Sequence, residues 1–213
     1  MHFLSSLLEK YIEDSSENEP ELLKVLSRET HLKVIQPRMI TGHFQGRVLS
    51  MLSKIINPTN ILEIGTYTGY SAICLAEGLN KSGQLHTIDI NEELSDFQRS
   101  YFNKSGYGQQ IIQHTGDALQ IVPTLNLTFD LIFIDAEKRE YIKYFDAVIK
   151  KTKPGSIILS DNVLWSGKVV EPVDEKDKAT KVLLEYNKML KNDPRVATVL
   201  LPIRDGLTLS RVL

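Results

Sequence analysis

The sequence predicts a doubly wound α/β fold, in which a mostly parallel seven-stranded sheet has an antiparallel edge strand and added N-terminal helices. Two observations support this prediction. From residue 60 onward, short apolar segments alternate with segments of helical periodicity, whereas residues 1–56 show helical periodicity alone. Short strands that alternate with helices are typical of a parallel sheet covered on both faces.

The length and composition fit one globular domain. The chain has 213 residues, of which 42% are hydrophobic and 24% are charged, as is ordinary for globular proteins. The formal net charge of -2 argues against a protein held on nucleic acid or membranes by bulk positive charge, although it leaves a local basic groove open. We expect a single domain over 1–213, with a helical cover at 1–56 and an α/β core at 57–213.

Cysteine content and hydropathy restrict the class of protein further. The single cysteine, Cys74, excludes an internal disulfide framework and a metal site built from several cysteines. No apolar run approaches the roughly 20 residues that a membrane helix needs, and the N-terminus lacks the layout of a signal peptide. We therefore expect a cytoplasmic protein with no membrane attachment.

The N-terminal segment is predicted to be helical throughout. Apolar residues at helical spacing predict two short helices, one before and one after Pro20. A third helix fits residues 43–56, and its predicted apolar face consists of Phe44, Val48, Leu52 and Ile55. Such amphipathic helices need a surface to pack on, so we expect them to cover the core or to form an oligomer contact.

Seven short segments are predicted as strands. They lie at 61–64, 85–90, 110–113, 129–134, 156–160, 197–202 and 207–212. The helices between them are predicted at about 70–79, 92–105, 117–122, 138–151 and 176–191. Because the turn at Arg204–Gly206 joins the last two strands, we expect this pair to form an antiparallel edge.

Acidic or glycine-bearing residues follow the first five predicted strands. They are the loop from Glu63 to Ser71, Asp89, the Gly116–Ala118 turn, Asp135 and the Asp161–Asn162 pair. The carboxyl ends of parallel strands lie at one edge of the sheet, where ligands of open α/β sheets bind. The sequence therefore predicts one ligand site at this edge.

The first loop indicates a nucleoside ligand. Asp89 follows Gly69 by 20 residues, a spacing at which an acidic residue reaches ribose hydroxyls in nucleotide-binding units. Tyr67 occupies the place of the middle glycine in the dinucleotide pattern. The negative charge of Glu63 disfavours a pyrophosphate and favours a cationic ligand. A ribose-containing ligand with positive charge is therefore favoured over a nicotinamide dinucleotide, and a plain β-to-α turn is the alternative.

A second group of residues consists of Asp135, Asp161 and Asn162. Their side chains offer the hard oxygen ligands that Mg²⁺ and Ca²⁺ prefer. Asp and Asn are also common as helix caps and turn residues. From the residues alone, a cation site and a purely structural role remain equally open.

Four segments then carry a more specific signature. They are Met39–Gly42 with Gly46, Glu63–Ser71, Phe133–Lys138 and Ser160–Gly167. With these segments the chain, from about Met39 to its end, resembles the cation-dependent class I S-adenosylmethionine O-methyltransferases. That family includes the catechol and caffeoyl-CoA O-methyltransferases and bacterial relatives. The resemblance implies the Rossmann-like fold of class I methyltransferases.

The resemblance also implies roles for individual residues. The implied S-adenosylmethionine site consists of Met39, Thr41, Glu63, Gly65, Thr66, Tyr67, Ser71, Asp89, Asp117, Ala118 and Asp135. The implied divalent cation, Mg²⁺ or else Ca²⁺ or Mn²⁺, is held by Asp135, Asp161 and Asn162. Lys138 occupies the position of the family's proposed catalytic base, with Asp135 as the second catalytic residue. Glu137 departs from the Asp of many relatives.

The activity implied by the resemblance is transfer of a methyl group to a hydroxyl of a small catechol-like or phenolic acceptor, including a CoA ester, by a homodimer. One alternative keeps the chemistry and takes 5-hydroxyuridine in transfer RNA as the acceptor. A positive groove around the cation site would favour that alternative. A non-catalytic cofactor-binding homologue is a third interpretation, which an intact acidic set with Lys138 disfavours.

Overall fold

A seven-stranded sheet organises residues 5–213, the range that this computed structural model describes. Its strands are β1 (Asn60–Ile64), β2 (Gln84–Asp89), β3 (Ile111–Thr115), β4 (Leu131–Ile134), β5 (Ile157–Asp161), β6 (Val196–Leu201) and β7 (Leu207–Val212). The order across the sheet is β3-β2-β1-β4-β5-β7-β6. The first five strands run parallel, and β7 is antiparallel to both β5 and β6. The predicted fold class is confirmed.

Eight α-helices accompany the sheet within the described range. They are α1 (Ser6–Asp14), α2 (Glu21–Lys33), α3 (His43–Ile56), α4 (Tyr70–Ala76), α5 (Ser95–Lys104), α6 (Ala118–Thr124), α7 (Tyr141–Val148) and α8 (Lys178–Asn192). The two short N-terminal helices and the third helix at 43–56 are confirmed, while residues 1–4 of the predicted cover lie outside the described residues. No helix between residues 5 and 213 has both the length and the apolar character to cross a membrane.

The two faces of the sheet bury two separate apolar clusters. Side chains alternate between faces along a strand. Leu62 and Ile64 of β1 therefore join a cluster with α6, α7 and α8, whereas Ile61 joins one with α2, α3, α4 and α5. These strand residues are at most 1% exposed, as expected for parallel strands covered on both faces.

The buried face of α3 differs from the predicted one. Gln45, Gly46 and Leu49 are buried, whereas Ile55, from the predicted apolar face, is 73% exposed. Close packing on α4 explains the difference, because a Cβ atom at Gly46 would lie only 2.6 Å from the Tyr70 ring. The predicted face was therefore right only in part: Leu52 is partly buried against the core, but Ile55 is exposed, because the close contact at Gly46 turns the side of Gln45 and Leu49 towards α4.

Two side chains hold the segment between α2 and α3 over the carboxyl edge of the sheet. The hydroxyl of Tyr67, in the loop after β1, lies 3.2 Å from the carbonyl oxygens of Ile35 and Gln36. The guanidinium of Arg204, in the β6–β7 turn, donates to the Ile40 carbonyl at 3.2 Å and also to the Thr41 carbonyl. The N-terminal cover and the C-terminal hairpin therefore form walls of the same cleft.

Candidate active site

The cleft at the carboxyl edge of the sheet has a volume of about 1690 Å³. Sites for one small ligand measure about 300–1,000 Å³, so this cleft has room for a cofactor and an acceptor together. Of the predicted site residues, it is lined by Met39, Thr41, Gly65, Thr66, Tyr67, Ser71, Asp89, Asp117, Ala118, Asp135, Lys138, Asp161 and Asn162. The topology brings together residues that lie as much as 123 positions apart in the chain, from Met39 to Asn162.

The glycines of the first loop allow a close approach between two strands. Gly65 has a φ of 101°, and a Cβ atom there would collide with the backbone carbonyl of Asp135. Gly69, with a φ of 89°, precedes α4 and lies against the Phe102 ring. Because only glycine has both the space and the conformational freedom required, the loop places the end of β1 directly beside the end of β4.

Asp89 ties the end of β2 to the same loop. Its Oδ2 atom accepts from the backbone N–H groups of Thr66 at 3.0 Å and Tyr67 at 2.7 Å. Its Oδ1 atom accepts from the N–H of Asn91 at 2.9 Å. Each carboxylate oxygen can accept more than one hydrogen bond, so Asp89 both shapes the loop and retains acceptor capacity towards the cleft.

Glu63 differs from the other predicted cofactor residues, because it lies behind the cleft wall rather than on it. Its Oε2 atom accepts from the Thr87 hydroxyl at 2.6 Å, while its Oε1 atom is buried with no hydrogen-bond partner among the described residues. Burial raises the pKa of Glu63 to about 8. An unpaired buried carboxyl oxygen fits a ligand that supplies a donor such as an ammonium group.

Among the remaining predicted cofactor residues, Asp117 has a structural role as well. The Asp117 side chain caps α6 by accepting from the N–H of Leu119 at 2.9 Å. Ala118, in the first turn of α6, is buried. Met39 is 55% exposed, and Thr41 is 6% exposed. Their shared position on the cleft wall is compatible with the predicted cofactor pocket.

Asp135, Asp161 and Asn162 line the part of the cleft where the adjacent strands β4 and β5 end, which we call the acidic end. The Oδ1 atom of Asp161 accepts from the backbone N–H of Asn162 at 2.7 Å. Burial, together with the nearby charge of Asp135, raises the pKa of Asp161. Asn162 has a φ of 58°, a left-handed conformation that turns the chain sharply after β5. The ends of β4 and β5 thus bring two carboxylates and an amide to one place.

Lys138 lies beside this acidic group. Its Nζ atom donates to Oδ1 of Asp135 at 2.8 Å and to the Tyr141 hydroxyl at 2.7 Å. The Tyr141 hydroxyl in turn donates to the Asp161 carbonyl at 2.8 Å. Because Lys138 is only 8% exposed, its ammonium group is confined to this position.

The donor set at this end of the cleft suits some divalent cations better than others. Within residues 5–213, no cluster of three or more His, Cys, Asp or Glu side chains is arranged to hold a metal ion. The predicted set has two carboxylates and one amide, and Oδ2 of Asp135 and the Asn162 side chain have no hydrogen-bond partner in this range. Such free hard oxygens fit Mg²⁺, which takes few protein ligands and keeps several waters.

Three residues that contact the site were missed from the sequence. Gln45 donates to Asp161, Arg204 binds the segment before α3, and Tyr141 binds Lys138. Tyr141 lies within the segment predicted as a helix at 138–151, and nothing in that pattern indicates a contact with Lys138. Of the three, only Gln45 had a signal in the sequence that could have indicated a role at the site: it is a polar residue within a helix that packs on the core.

Comparisons with known sequences agree with this geometry. The sequence matches the O-methyltransferase family profile over residues 12–213. Among its relatives, the Caffeoyl-CoA O-methyltransferase of Petroselinum crispum is 37% identical over 220 residues, covering 97% of this chain and 91% of the relative. The Caffeoyl-CoA O-methyltransferase 2 of Eucalyptus globulus is 38% identical, with 97% and 89% covered.

Solved structures give the same result. An O-methyltransferase from Bacillus cereus in complex with SAH has a TM-score of 0.90 and 29% sequence identity, covering 97% of each chain. The O-methyltransferase TomG from Streptomyces achromogenes, involved in tomaymycin synthesis and solved with SAM, has a TM-score of 0.89 and 30% identity. That alignment covers 97% of this chain and 96% of TomG.

Proposed function

This chain belongs to the O-methyltransferase family and is an S-adenosylmethionine-dependent O-methyltransferase, and from that premise we propose its acceptor and its metal dependence. The proposed acceptor is a hydroxyl of a small catechol-like or phenolic molecule, and the proposed cation is Mg²⁺. One observation carries the proposal: two carboxylates, Asp135 and Asp161, line the same cleft as the glycine loop, with the Lys138 ammonium group 2.8 Å from Asp135.

The proposed cofactor site extends along the first loop. When bound, S-adenosylmethionine supplies an activated sulfonium methyl group. Asp89 is proposed to accept from the ribose hydroxyls, and Glu63, from behind the cleft wall, is proposed to lie near the amino group. Asp117 and Ala118 would flank the adenine, while Met39, Thr41, Thr66, Tyr67 and Ser71 complete the walls. Gly65 keeps this pocket in contact with Asp135, so the methyl group would face the acidic end.

Asp135, Asp161 and Asn162 are the proposed cation ligands, and a bound Mg²⁺ supplies positive charge that favours ionisation of an acceptor hydroxyl. Ca²⁺ and Mn²⁺ take similar oxygen ligands. A phenol has a pKa of about 10 and is little ionised at neutral pH. A cation held by these residues would therefore promote ionisation of the acceptor hydroxyl. The reaction also requires that the acceptor oxygen be aligned with the methyl group.

Lys138, in its neutral amine form, is proposed to take the proton that leaves the acceptor hydroxyl, because an ammonium group has no lone pair to accept one. In the reaction, the sulfur–methyl bond breaks as the oxygen–methyl bond forms, and the hydroxyl proton passes to the base. Hydrogen bonds from Nζ to Asp135 and Tyr141 hold Lys138 at a fixed distance from the acidic end. A second role, as an electrostatic anchor for the anionic oxygen, uses the same position.

A flat aromatic acceptor is proposed because the cleft has aromatic residues in its walls. Phe44, Tyr144 and Trp165 are among its lining residues, and aromatic side chains pack well on aromatic ligands. The relatives from Petroselinum crispum and Eucalyptus globulus are named for caffeoyl-CoA, so we include CoA esters among the proposed acceptors.

The decisive experiment measures transfer of labelled methyl from S-adenosylmethionine to a panel of vicinal diols, to matched monophenols and to bulk transfer RNA. Each assay is run with Mg²⁺ and with a chelator. We expect transfer to vicinal diols that requires Mg²⁺. Full activity with chelator would refute the cation role, and methylation of transfer RNA alone would replace the acceptor proposed here with the hydroxyuridine alternative.

We further propose that residues 1–213 act as one methyltransferase domain in a cytoplasmic homodimer. Contacts of Tyr67 and Arg204 with the 35–41 segment support one domain, because they make the helical cover part of the cleft. Exposed apolar side chains on α1, Leu7 and Tyr11, at 81% and 68% exposure, support a partner surface. Light scattering of the purified protein tests the dimer directly.

A further inference from the structure

A buried amide contacts the acidic end of the cleft from outside the predicted set. Gln45 lies in the first turn of α3, and its side chain is only 1% exposed. Its Nε2 atom donates to Oδ2 of Asp161 at 2.7 Å. The two residues are 116 positions apart, so this hydrogen bond joins the N-terminal cover directly to the end of β5.

The orientation of this amide is determined by a second contact. Nη1 of Arg204 lies 3.4 Å from Oε1 of Gln45. A guanidinium group has only donors, so the amide oxygen must face Arg204 and the NH₂ group must face Asp161. The same Nη1 atom binds the carbonyl oxygens of Ile40 and Thr41, which keeps the guanidinium in place.

The Asp161 carboxylate is thereby held by two donors. Oδ1 accepts from the backbone N–H of Asn162 at 2.7 Å, and Oδ2 accepts from Gln45 at 2.7 Å. Two donors on different oxygens fix the plane of the carboxylate, and each oxygen keeps a further lone pair for a ligand. Without Gln45 the backbone donor alone would remain, and rotation of the carboxylate would be less restricted.

We infer that Gln45 is a positioning residue that holds Asp161 in the orientation needed to bind a divalent cation. The inference rests on the proposed function, because it assigns a purpose to the Gln45–Asp161 hydrogen bond only if Asp161 is a ligand. Groups that orient metal ligands in this way change metal affinity by about 10- to 100-fold when they are removed.

The test measures Mn²⁺ affinity, by the electron paramagnetic resonance signal of free Mn²⁺, in the full chain without acceptor. Gln45→Met keeps the side-chain length and removes the donor. We expect Mn²⁺ binding to weaken by about 10- to 100-fold, while affinity for S-adenosylmethionine changes less than about twofold. Gln110→Met is the matched control, because Gln110 donates to backbone carbonyls at the opposite edge of the sheet and its loss should leave Mn²⁺ affinity unchanged.

A second variant keeps the inference testable if Gln45→Met does not fold. Arg204→Met keeps Gln45 and removes the group that orients its amide, so we expect a smaller loss of Mn²⁺ affinity. Mn²⁺ affinity equal to wild type in folded Gln45→Met, or in Arg204→Met if the first variant does not fold, would overturn the inference. Wild-type protein that binds no Mn²⁺ would overturn the proposed cation site itself, and with it the inference. The two failures are therefore distinguishable.

Discussion

The Nζ atom of Lys138 lies 2.8 Å from Oδ1 of Asp135, three residues earlier in the chain. Both side chains are largely buried, at 9% and 22% exposure, so water does not screen the pair as it does at a surface. The Tyr141 hydroxyl, 2.7 Å from the same nitrogen, completes the arrangement. The side chain of the proposed base is thus bonded directly to a proposed cation ligand.

Replacement of Lys138 separates its two proposed roles. We expect Lys138→Ala to lower kcat by about 10²–10⁴-fold, the usual contribution of a general acid or base, with a smaller change in the KM for S-adenosylmethionine. Lys138→Arg keeps the charge but cannot give up its proton. Activity lost in the arginine variant indicates a base, and activity retained indicates an anchor.

The control for that experiment is Lys143→Ala. Lys143 forms an ion pair with Glu140 at 2.7 Å, but its side chain is 66% exposed, so its loss should leave kcat unchanged. Equal kcat in wild type and Lys138→Ala would contradict both roles.

Removal of Asp161 should abolish metal-dependent turnover. A ligand contributes more than the groups that orient it, whose loss already costs about 10- to 100-fold in affinity or activity. We therefore expect Asp161→Ala to lower initial rates by more than about 100-fold at any Mg²⁺ concentration. Asp130→Ala is the control, because Asp130 accepts from Thr59 and Asn60 at the far edge of the sheet. Normal rates for Asp161→Ala in the presence of chelator would show that no cation acts there.

Gly65→Ala tests the contact between the first loop and β4. The new methyl group would collide with the Asp135 carbonyl, and such overpacking typically costs about 1–3 kcal/mol. Gly106 has a similar positive φ of 84°, but no atom lies within 4 Å of the point that a Cβ atom would occupy there. Gly106→Ala therefore carries only the backbone cost of roughly 1–2 kcal/mol. Urea denaturation should show a larger loss of unfolding free energy for Gly65→Ala, and equal losses would mean the contact is not tight.

A pair of stacked histidines is expected to make the stability of the fold depend on pH. The Nδ1 atom of His86 and the Nε2 atom of His114 are 2.9 Å apart. Burial lowers the pKa of His86 to about 4, and burial lowers the pKa of His114 as well. The unfolded chain binds protons first, at a pKa of about 6.5. The contribution of the two histidines to the unfolding free energy is therefore fully present above pH 6.5. It should be lost as the pH drops towards 4, by roughly 2–3 kcal/mol for His86.

The measurement is the unfolding free energy as a function of pH. We expect the decrease between about pH 6.5 and 4 to be shallower in His86→Gln than in wild type. His31→Gln is the control, because His31 is exposed and its Nδ1 atom lies 2.8 Å from the Ser27 carbonyl of its own helix. The same slope in wild type and His86→Gln would rule out this source of the pH dependence.

Part of this enzyme follows from local sequence alone. The alternation of apolar and helical segments predicted the sheet, because burial on two faces imposes a near-continuous apolar pattern on parallel strands. That Asp135, Asp161 and Asn162 line one cleft was also predictable, since the carboxyl ends of parallel strands share an edge. Helix α3 was predicted with its observed bounds, His43–Ile56.

Other features depend on contacts between distant parts of the chain. Which face of α3 is buried is decided by Gly46 against Tyr70, and the Gln45–Asp161 hydrogen bond spans 116 positions. Periodicity describes how a segment divides apolar from polar residues, but it contains no information on which neighbour approaches closely. Sequence by itself therefore determined the elements and the edge of the sheet at which the cleft lies. Tertiary packing alone decided which buried polar groups contact the acidic residues, because hydrogen bonds require distances and directions that only the assembled fold supplies.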